Sequence, residues 1–131
     1  MRLKALKKES LLAIAAPAGP FERKHFEKAL KLLKKAGFRL TYRKDIFSRQ
    51  DYLAGNDRRR LSELQQHLSN SKVEALLFAR GGYGTQRLLP LLKPSFKFSP
   101  KIVVGMSDLT VLLNFLWKKF KTPSLYGPLV A

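Results

Sequence analysis

The feature that most constrains this chain is its alternation of short apolar runs with amphipathic stretches. The run Leu11-Leu12-Ala13-Ile14-Ala15-Ala16 stops at Pro17-Ala18-Gly19-Pro20, the pattern of a fully buried strand closed by a turn. Over residues 21–36, Phe26, Ala29, Leu30, Leu33 and Ala36 recur at three- and four-residue spacing, and Gly37 supplies a left-handed stop to the helix they predict. Residues 38–42 alternate like a half-buried strand, whereas residues 45–56 hold no period and read as a loop. Asn56 or Asp57 is positioned to cap a second helix running to about Leu68, with Leu61, Leu64 and Leu68 on one face, before Ser69-Asn70-Ser71 ends it.

Residues 73–79 predict a third buried strand, which runs into Arg80-Gly81-Gly82-Tyr83-Gly84. Thr85 is then expected to cap a short helix carrying Leu88, Leu89, Leu91 and Leu92, and residues 94–100 to form a connection. Ile102-Val103-Val104 reads as the fourth strand, followed by the turn Gly105-Met106-Ser107-Asp108. Residues 109–120 are helical in length but apolar on most sides, which predicts burial from two directions. Pro123-Ser124-Leu125-Tyr126 offers a fifth strand, closed by Gly127-Pro128.

Strands alternating with helices predict an α/β fold of three layers: a mostly parallel sheet of about five strands, covered on both faces through right-handed crossovers. Such sheets bind ligands at the carboxyl ends of their strands. Both glycine-bearing turns, 80–84 and 105–108, follow strands and are expected on that one edge.

Composition narrows the function. The 131 residues suit one domain, and the absence of cysteine excludes disulfides and thiolate metal sites. His25 and His67 lie on separate predicted helices with no metal spacing, so no metal is expected, and both read as partly exposed positions away from the strands' carboxyl ends. The formal charge of +17 attracts anionic partners. Its cations are nevertheless spread over the first helix, over Arg58-Arg59-Arg60 and over Lys118, Lys119 and Lys121, with no nucleic-acid-binding signature, so a basic solvated surface is the preferred reading. The N-terminal Lys/Arg-rich stretch followed by an apolar run imitates a signal peptide. Its apolar core is only six residues long, below the roughly 7–15 expected, and Glu9 precedes it; a buried first strand explains it better. No stretch approaches the roughly 18–20 apolar residues of a membrane span, and the cytoplasm is the expected compartment.

Two readings of Gly105-Met106-Ser107-Asp108 stand side by side. Ser107 or Asp108 caps the following helix, or Ser107 is a nucleophile lifted above the sheet edge by a strand-to-helix turn. The loop Gly81-Gly82-Tyr83-Gly84 likewise has two readings. It is a tight turn, or its bare amides receive an anion, either a phosphate or the oxyanion of acyl transfer. No nucleotide fingerprint is present. For acyl transfer the parts are Ser107, the N–H of Asp108 and an N–H of Gly81 or Gly82; a base is missing, since neither histidine is placed to serve.

Arg80-Gly81-Gly82-Tyr83-Gly84 with Arg87-Leu88-Leu89, then Gly105-Met106-Ser107-Asp108-Leu109-Thr110, then Tyr126-Gly127-Pro128, resembles the LD-carboxypeptidase family of serine peptidases. Ala15-Ala16-Pro17-Ala18-Gly19 is similar to the family's opening. The resemblance implies a flavodoxin-like domain with Ser107 as catalytic nucleophile and with Asp108 and Gly81 or Gly82 forming the oxyanion hole. Arg80 and Tyr83 are the candidate substrate contacts. It also implies release of D-alanine from murein tetrapeptide in the cytoplasm, with no cofactor and no metal. In that family the base histidine and its glutamate come from a C-terminal domain, so residues 1–131 are expected to be a nucleophile-bearing half, inactive alone. Its expected partners are the murein peptide and that missing domain. The apolar last helix fits a surface for another domain or a second copy, as in a homodimer, although a buried core helix would look the same. The alternative function is a stand-alone binding module using the same loops for a small anionic ligand or nucleic acid.

Overall fold

The first strand, β1 (Leu11–Ala15), is buried because the sheet is covered on both sides. Ala13 and Ala15 point into one core and Ile14 into the other, the period-two consequence of the pleat. The computed structural model describes residues 2–93 and 95–131; Met1, and Pro94 at the start of the expected connection, lie outside the described residues.

After β1 come helix α1 (Arg23–Lys35), strand β2 (Arg39–Thr41), helix α2 (Asp57–Ser69), strand β3 (Ala75–Phe78) and the four-residue helix α3 (Thr85–Leu88). Strand β4 (Ile102–Gly105), helix α4 (Thr110–Phe120) and strand β5 (Leu125–Tyr126) complete the order. Every strand pair is parallel, and the spatial order is β2-β1-β3-β4-β5, the flavodoxin-like doubly wound arrangement. Its direction of winding reverses between β1 and β3, so the crevice outside their carboxyl ends is the place where such a sheet receives ligands.

Helix α1 covers one face by burying Phe26 and Leu30, the positions its three- and four-residue period selected. Phe21, Phe26 and Phe47 close this layer, with ring centroids 5.0 to 5.6 Å apart. The other face takes Leu64 and Leu68 of α2, Leu88 of α3 and Leu112, Leu113 and Leu116 of α4 against Leu76, Phe78 and Val103. Each such side chain removed from water contributes roughly 1.5–3 kcal/mol.

Four expectations are corrected. Residues 45–56 are not wholly irregular, because Lys44–Phe47 forms a 3-10 turn that buries Ile46. A four-residue helix with one buried contact leaves no period to read. Helix α4 is buried from one direction rather than two; Trp117 is 56% exposed, with Asn114 and Lys118 beside it on the open face. Thr85 does not cap α3: Gly84 occupies the cap position with φ +125°, and Thr85 itself is fully buried. His67 is not partly exposed but buried beneath α2.

Candidate active site

The turn after β4 is shaped by contacts that only a glycine permits. A Cβ on Gly105 would stand 3.0 Å from Leu109 Cβ and 3.2 Å from the Phe78 ring, so the chain can double back onto α4 there only without a side chain. Met106 is extended, and Ser107 then adopts φ +56°, the left-handed region that a non-glycine residue enters at a conformational cost. A 3-10 turn, Ser107–Leu109, leads into α4. Ser107 is exposed, and among the described residues its hydroxyl caps nothing: Met106 holds the cap position of the turn and Leu109 that of α4, neither through a side-chain hydrogen bond. The helix-cap reading of Ser107 is therefore replaced by that of a free hydroxyl on a strained strand-to-helix reversal.

The glycine loop meets this turn directly. A Cβ on Gly81 would lie 3.2 Å from both Cβ and Oγ of Ser107 and 3.7 Å from the Asp108 amide nitrogen. Gly81, Ser107 and Asp108, expected together from their positions after strands, are thus neighbours. Gly82, with φ +101°, lies one residue further along, near the Gly19 backbone. The Gly19 N–H donates to the Gly81 carbonyl at 2.9 Å, which locks the loop after β1 to the loop after β3. Among the described residues the N–H groups of Gly81 and Gly82 donate to no backbone carbonyl. The Asp108 carboxylate accepts the Thr85 N–H at 3.0 Å, satisfying the first free amide of α3 in place of the cap expected from Thr85.

Arg80 and Tyr83 flank the two glycines and are both exposed. Arg80 keeps one nitrogen on the Pro20 carbonyl at 2.7 Å, and Tyr83 lies against Tyr52 with ring centroids 5.7 Å apart. Tyr52 carried no sequence signal, since it sits in a stretch without period.

Beneath these loops is a layer of arginines. Arg60 is fully buried; its Nη1 donates to the carbonyls of Pro17 (2.7 Å) and Gly84 (2.9 Å), its Nε to Gly55 (3.1 Å), and its Nη2 pairs with Asp57. Asp57 also receives Arg87 in a bidentate pair, and these guanidiniums, Arg87 first, hold its carboxyl below the usual range. Arg59 donates to the Ala16 carbonyl at 2.6 Å and to Glu63 at 3.2 Å, while the same Glu63 oxygen accepts the Ala16 N–H at 2.8 Å. Burial pushes the Glu63 carboxyl up, and Arg59 opposes it. The reading of Arg58-Arg59-Arg60 as a solvated cluster is corrected: only Arg58 faces water. The other two hold the loops after β1 and β3 by their carbonyls, which periodicity could not reveal because the acceptors are backbone atoms distant in sequence.

The histidines separate. His25 stands in the first turn of α1 and lines a recess of about 310 Å³ with Phe21, Glu22, Arg49, Arg80 and Ala131. It therefore lies at the edge carrying the glycine loop, contrary to expectation, because a helix after a parallel strand begins at that strand's carboxyl end. His67, at the far end of α2, has no partner for its Nε2 among the described residues, and burial, reinforced by Arg43 and Lys101, lowers its pKa to about 4. Neither histidine hydrogen-bonds Ser107. Among the described residues no group of three or more His, Asp or Glu side chains is arranged to hold a metal ion, and no helix is long and apolar enough to cross a membrane.

A flavodoxin-like sheet with a bare serine hydroxyl and a glycine loop facing each other across β3 and β4 defines the class: a doubly wound α/β domain with its candidate site at the carboxyl edge. Residues 12–127 match the family described as the LD-carboxypeptidase N-terminal domain, and the chain belongs to that family. It is 33% identical over 129 residues to a probable murein peptide carboxypeptidase of Bacillus subtilis (strain 168), covering 98% of this chain and 40% of that protein. To the murein tetrapeptide carboxypeptidase of Pseudomonas aeruginosa it is 31% identical over 119 residues, 89% of this chain and 38% of the relative. The crystal structure of an MccF-like protein from Bacillus anthracis str. Ames superposes with a TM-score of 0.91 at 25% identity, covering 99% of this chain and 41% of the other. That of a muramoyltetrapeptide carboxypeptidase from Oxalobacter formigenes superposes with a TM-score of 0.77 at 30% identity, over 92% and 40%. The chain spans about 40% of the length of the curated relatives it matches.

Proposed function

We propose that this chain supplies the nucleophile and oxyanion hole of a serine-type LD-carboxypeptidase that releases the terminal D-alanine from murein tetrapeptide in the cytoplasm. The observation that carries the reading is that Gly81 faces the serine turn so closely that a Cβ on it would lie 3.2 Å from Ser107 Oγ and 3.7 Å from the Asp108 amide nitrogen, at a serine held with φ +56°. Ser107 Oγ attacks the carbonyl carbon of the D-alanine amide. The oxygen that becomes negative is received by the Asp108 N–H and by an N–H of Gly81 or Gly82. Arg80 and Tyr83 contact the peptide from the rim. Collapse of the intermediate expels the protonated D-alanine amine and leaves an acyl-serine, which water then hydrolyses. A donor placed in this way contributes roughly 10²–10³ in kcat.

The proton of Ser107 needs a base, and among the described residues no histidine or carboxylate hydrogen-bonds its hydroxyl. We assign that base, a histidine held by a glutamate, to a part of the polypeptide corresponding to the remaining length of the relatives, so residues 1–131 alone are inactive. The test is D-alanine release from murein tetrapeptide by residues 1–131 and by a polypeptide that also carries the corresponding C-terminal part. The expected result is activity only in the longer form, abolished by Ser107→Ala. Release by residues 1–131 that disappears in Ser107→Ala overturns the shared-base reading, and release that survives Ser107→Ala overturns Ser107 as nucleophile. Recovery of the protein in the membrane or extracellular fraction overturns the compartment. The alternative of a nucleic-acid module is weakened by the burial of Arg59 and Arg60, two of the three arginines on which it drew.

A further inference from the structure

We propose that the Asp108 carboxylate is a positioning residue, joining the serine turn to the glycine loop and so setting the distance between the two amides that receive the oxyanion. This rests on the assignment of Ser107 as nucleophile and goes beyond it by giving the Asp108 side chain a role separate from that of its backbone N–H.

The two halves of the proposed oxyanion hole come from different strands, β3 and β4. The ladder between those strands pairs Ala75 with Ile102 and Leu76 with Val103, and stops there. It therefore ends at the amino side of the site, and the last residues of both strands run to the carboxyl edge without a mutual ladder. Residues 127–131 bridge those strand ends, the Gly127 N–H donating to the Gly105 carbonyl and the N–H groups of Val130 and Ala131 to the carbonyls of Phe78 and Ala79, and the two turns beyond the strands are tied separately. Among the described residues one hydrogen bond joins residues 80–85 to residues 105–109, and it is that between Asp108 Oδ2 and the Thr85 N–H, 3.0 Å long and 23 residues apart in sequence. An ionised acceptor on a backbone donor makes this a strong, directional bond.

The rest of the glycine loop is tied to other parts of the molecule. Gly81 accepts from Gly19, and Gly84 accepts from Arg60. Both of these bonds face the β1 side, so they fix the loop relative to β1 and make no direct tie to the serine turn. The buried Thr85, whose Oγ1 has no partner, and the buried Leu88 make α3 a fixed post on the core. Asp108 ties the serine turn to that post. Since the Asp108 amide is itself one donor, a shift of the carboxylate moves that donor with it.

The experiment compares Asp108→Ala, Asp108→Asn and Ser107→Ala in the polypeptide that releases D-alanine. Asparagine retains an acceptor oxygen and loses the charge, whereas alanine loses both. The expected result for Asp108→Ala is a fall in kcat of roughly 10²-fold with KM changed by no more than about threefold, since a displaced oxyanion donor acts on the transition state. Asp108→Asn is expected to recover kcat to within about tenfold of the parent, because the bond is remade without its ionic part. An alanine variant with unaltered kcat, an effect on KM alone, or an asparagine variant no better than alanine overturns the proposal. Ser107→Ala keeps this separate from the nucleophile assignment: if it still releases D-alanine, the assignment fails whatever Asp108 does. Amide hydrogen exchange of residues 1–131 decides the matter should the alanine variant not fold. In the parent chain the Thr85 amide is expected to be protected, and in Asp108→Asn to lose part of that protection while Leu12 to Ile14 keep theirs. A Thr85 amide exchanging as fast as that of an open loop in the parent overturns the proposal.

Discussion

The two edges of the sheet bury basic side chains in opposite ways. At the carboxyl edge every nitrogen of Arg60 has an acceptor, among the carbonyls of Pro17, Gly55 and Gly84 and the Asp57 carboxylate, and Arg59 gives its Nη2 to the Ala16 carbonyl and Glu63, with Asp45 3.7 Å from its Nη1 and no hydrogen-bond partner for its Nε among the described residues. At the amino edge, among the described residues, His67 has no partner for Nε2 and buried Lys101 donates to the single acceptor Asn70 O at 2.8 Å. Burial lowers the pKa of His67 to about 4 and that of Lys101 to about 8. Arginine does not shed its proton, so the fold has to bring acceptors to it, and here the acceptors are the loops next to the candidate site. Histidine can shed its proton, and lysine can be pushed toward doing so, so the amino edge brings them far fewer acceptors, the Asn70 carbonyl for Lys101 and none for His67 Nε2 among the described residues. The edge proposed to carry the chemistry is accordingly the one whose loops are fixed by charges that cannot be neutralised.

The strongest way to break this contrast is Arg60→Met. It leaves the buried carbonyls of Pro17 and Gly55 without the arginine donor, takes one of two donors from Gly84 and removes a partner of Asp57, and the expected loss is about 3–5 kcal/mol in urea unfolding at pH 7. A loss under about 1 kcal/mol would show that the arginine layer does not hold the loops. Next comes acid. His67 has a folded pKa of about 4 against an ordinary value of 6.5, so the unfolded chain binds the proton first as pH falls. Its contribution is complete above about pH 6.5 and is lost toward pH 4, a change of up to roughly 3 kcal/mol. Glu63, whose carboxyl is pushed up, acts with the opposite sign, so the readout is the difference between the parent chain and His67→Gln across that window. Equal slopes in the two proteins would refute the neutral buried histidine.

Smaller effects sharpen the comparison. A Cβ on Gly19 would lie 2.8 Å from the Gly81 carbonyl oxygen, backbone against backbone, so Gly19→Ala is expected to destabilise by about 1–3 kcal/mol and to slow D-alanine release by moving the loop after β3. An unchanged rate would mean that this contact does not set the loop. Asn56 Oδ1 accepts the Arg59 N–H at 2.8 Å, and Asn56→Ala is expected to lower stability by about 1 kcal/mol with kcat unaltered, because it caps α2 without touching a loop after a strand. A larger fall in kcat than in stability would extend the arginine layer's influence to the cap.

The elements themselves were legible because their signals are local. The three- and four-residue spacing of α1, the apolar runs of β1, β3 and β4, and the Asn56 cap all depend on residues within a few positions of one another. The alternation of strand and helix then implied the parallel sheet and placed both glycine turns on one edge. Other features were out of reach for a physical reason. Arg59 and Arg60 looked like ordinary exposed cations of a polar helix start, since their acceptors are carbonyls up to 43 residues away. His67 was misjudged because α2 spends five polar or apolar side chains on burial, more than its leucine stripe announces. Thr85 resembled a cap, while the acceptor its amide uses arrives from Asp108 in the turn after another strand.

By itself the sequence determined the α/β class, the order of elements, the strand-to-helix setting of Ser107 and the glycines at 81, 82, 84 and 105, because backbone freedom and periodicity act over short stretches of chain. Only the tertiary structure decided that Ser107 takes φ +56° with a bare hydroxyl rather than capping a helix, that Gly81 rather than Gly82 is the residue pressed against it, and that Asp108 bonds to Thr85. Those outcomes depend on how closely two strands' turns approach one another. That distance depends on the packing of the whole sheet and on bonds such as that of Asp108 to Thr85, 23 residues apart in sequence, and no local pattern records it.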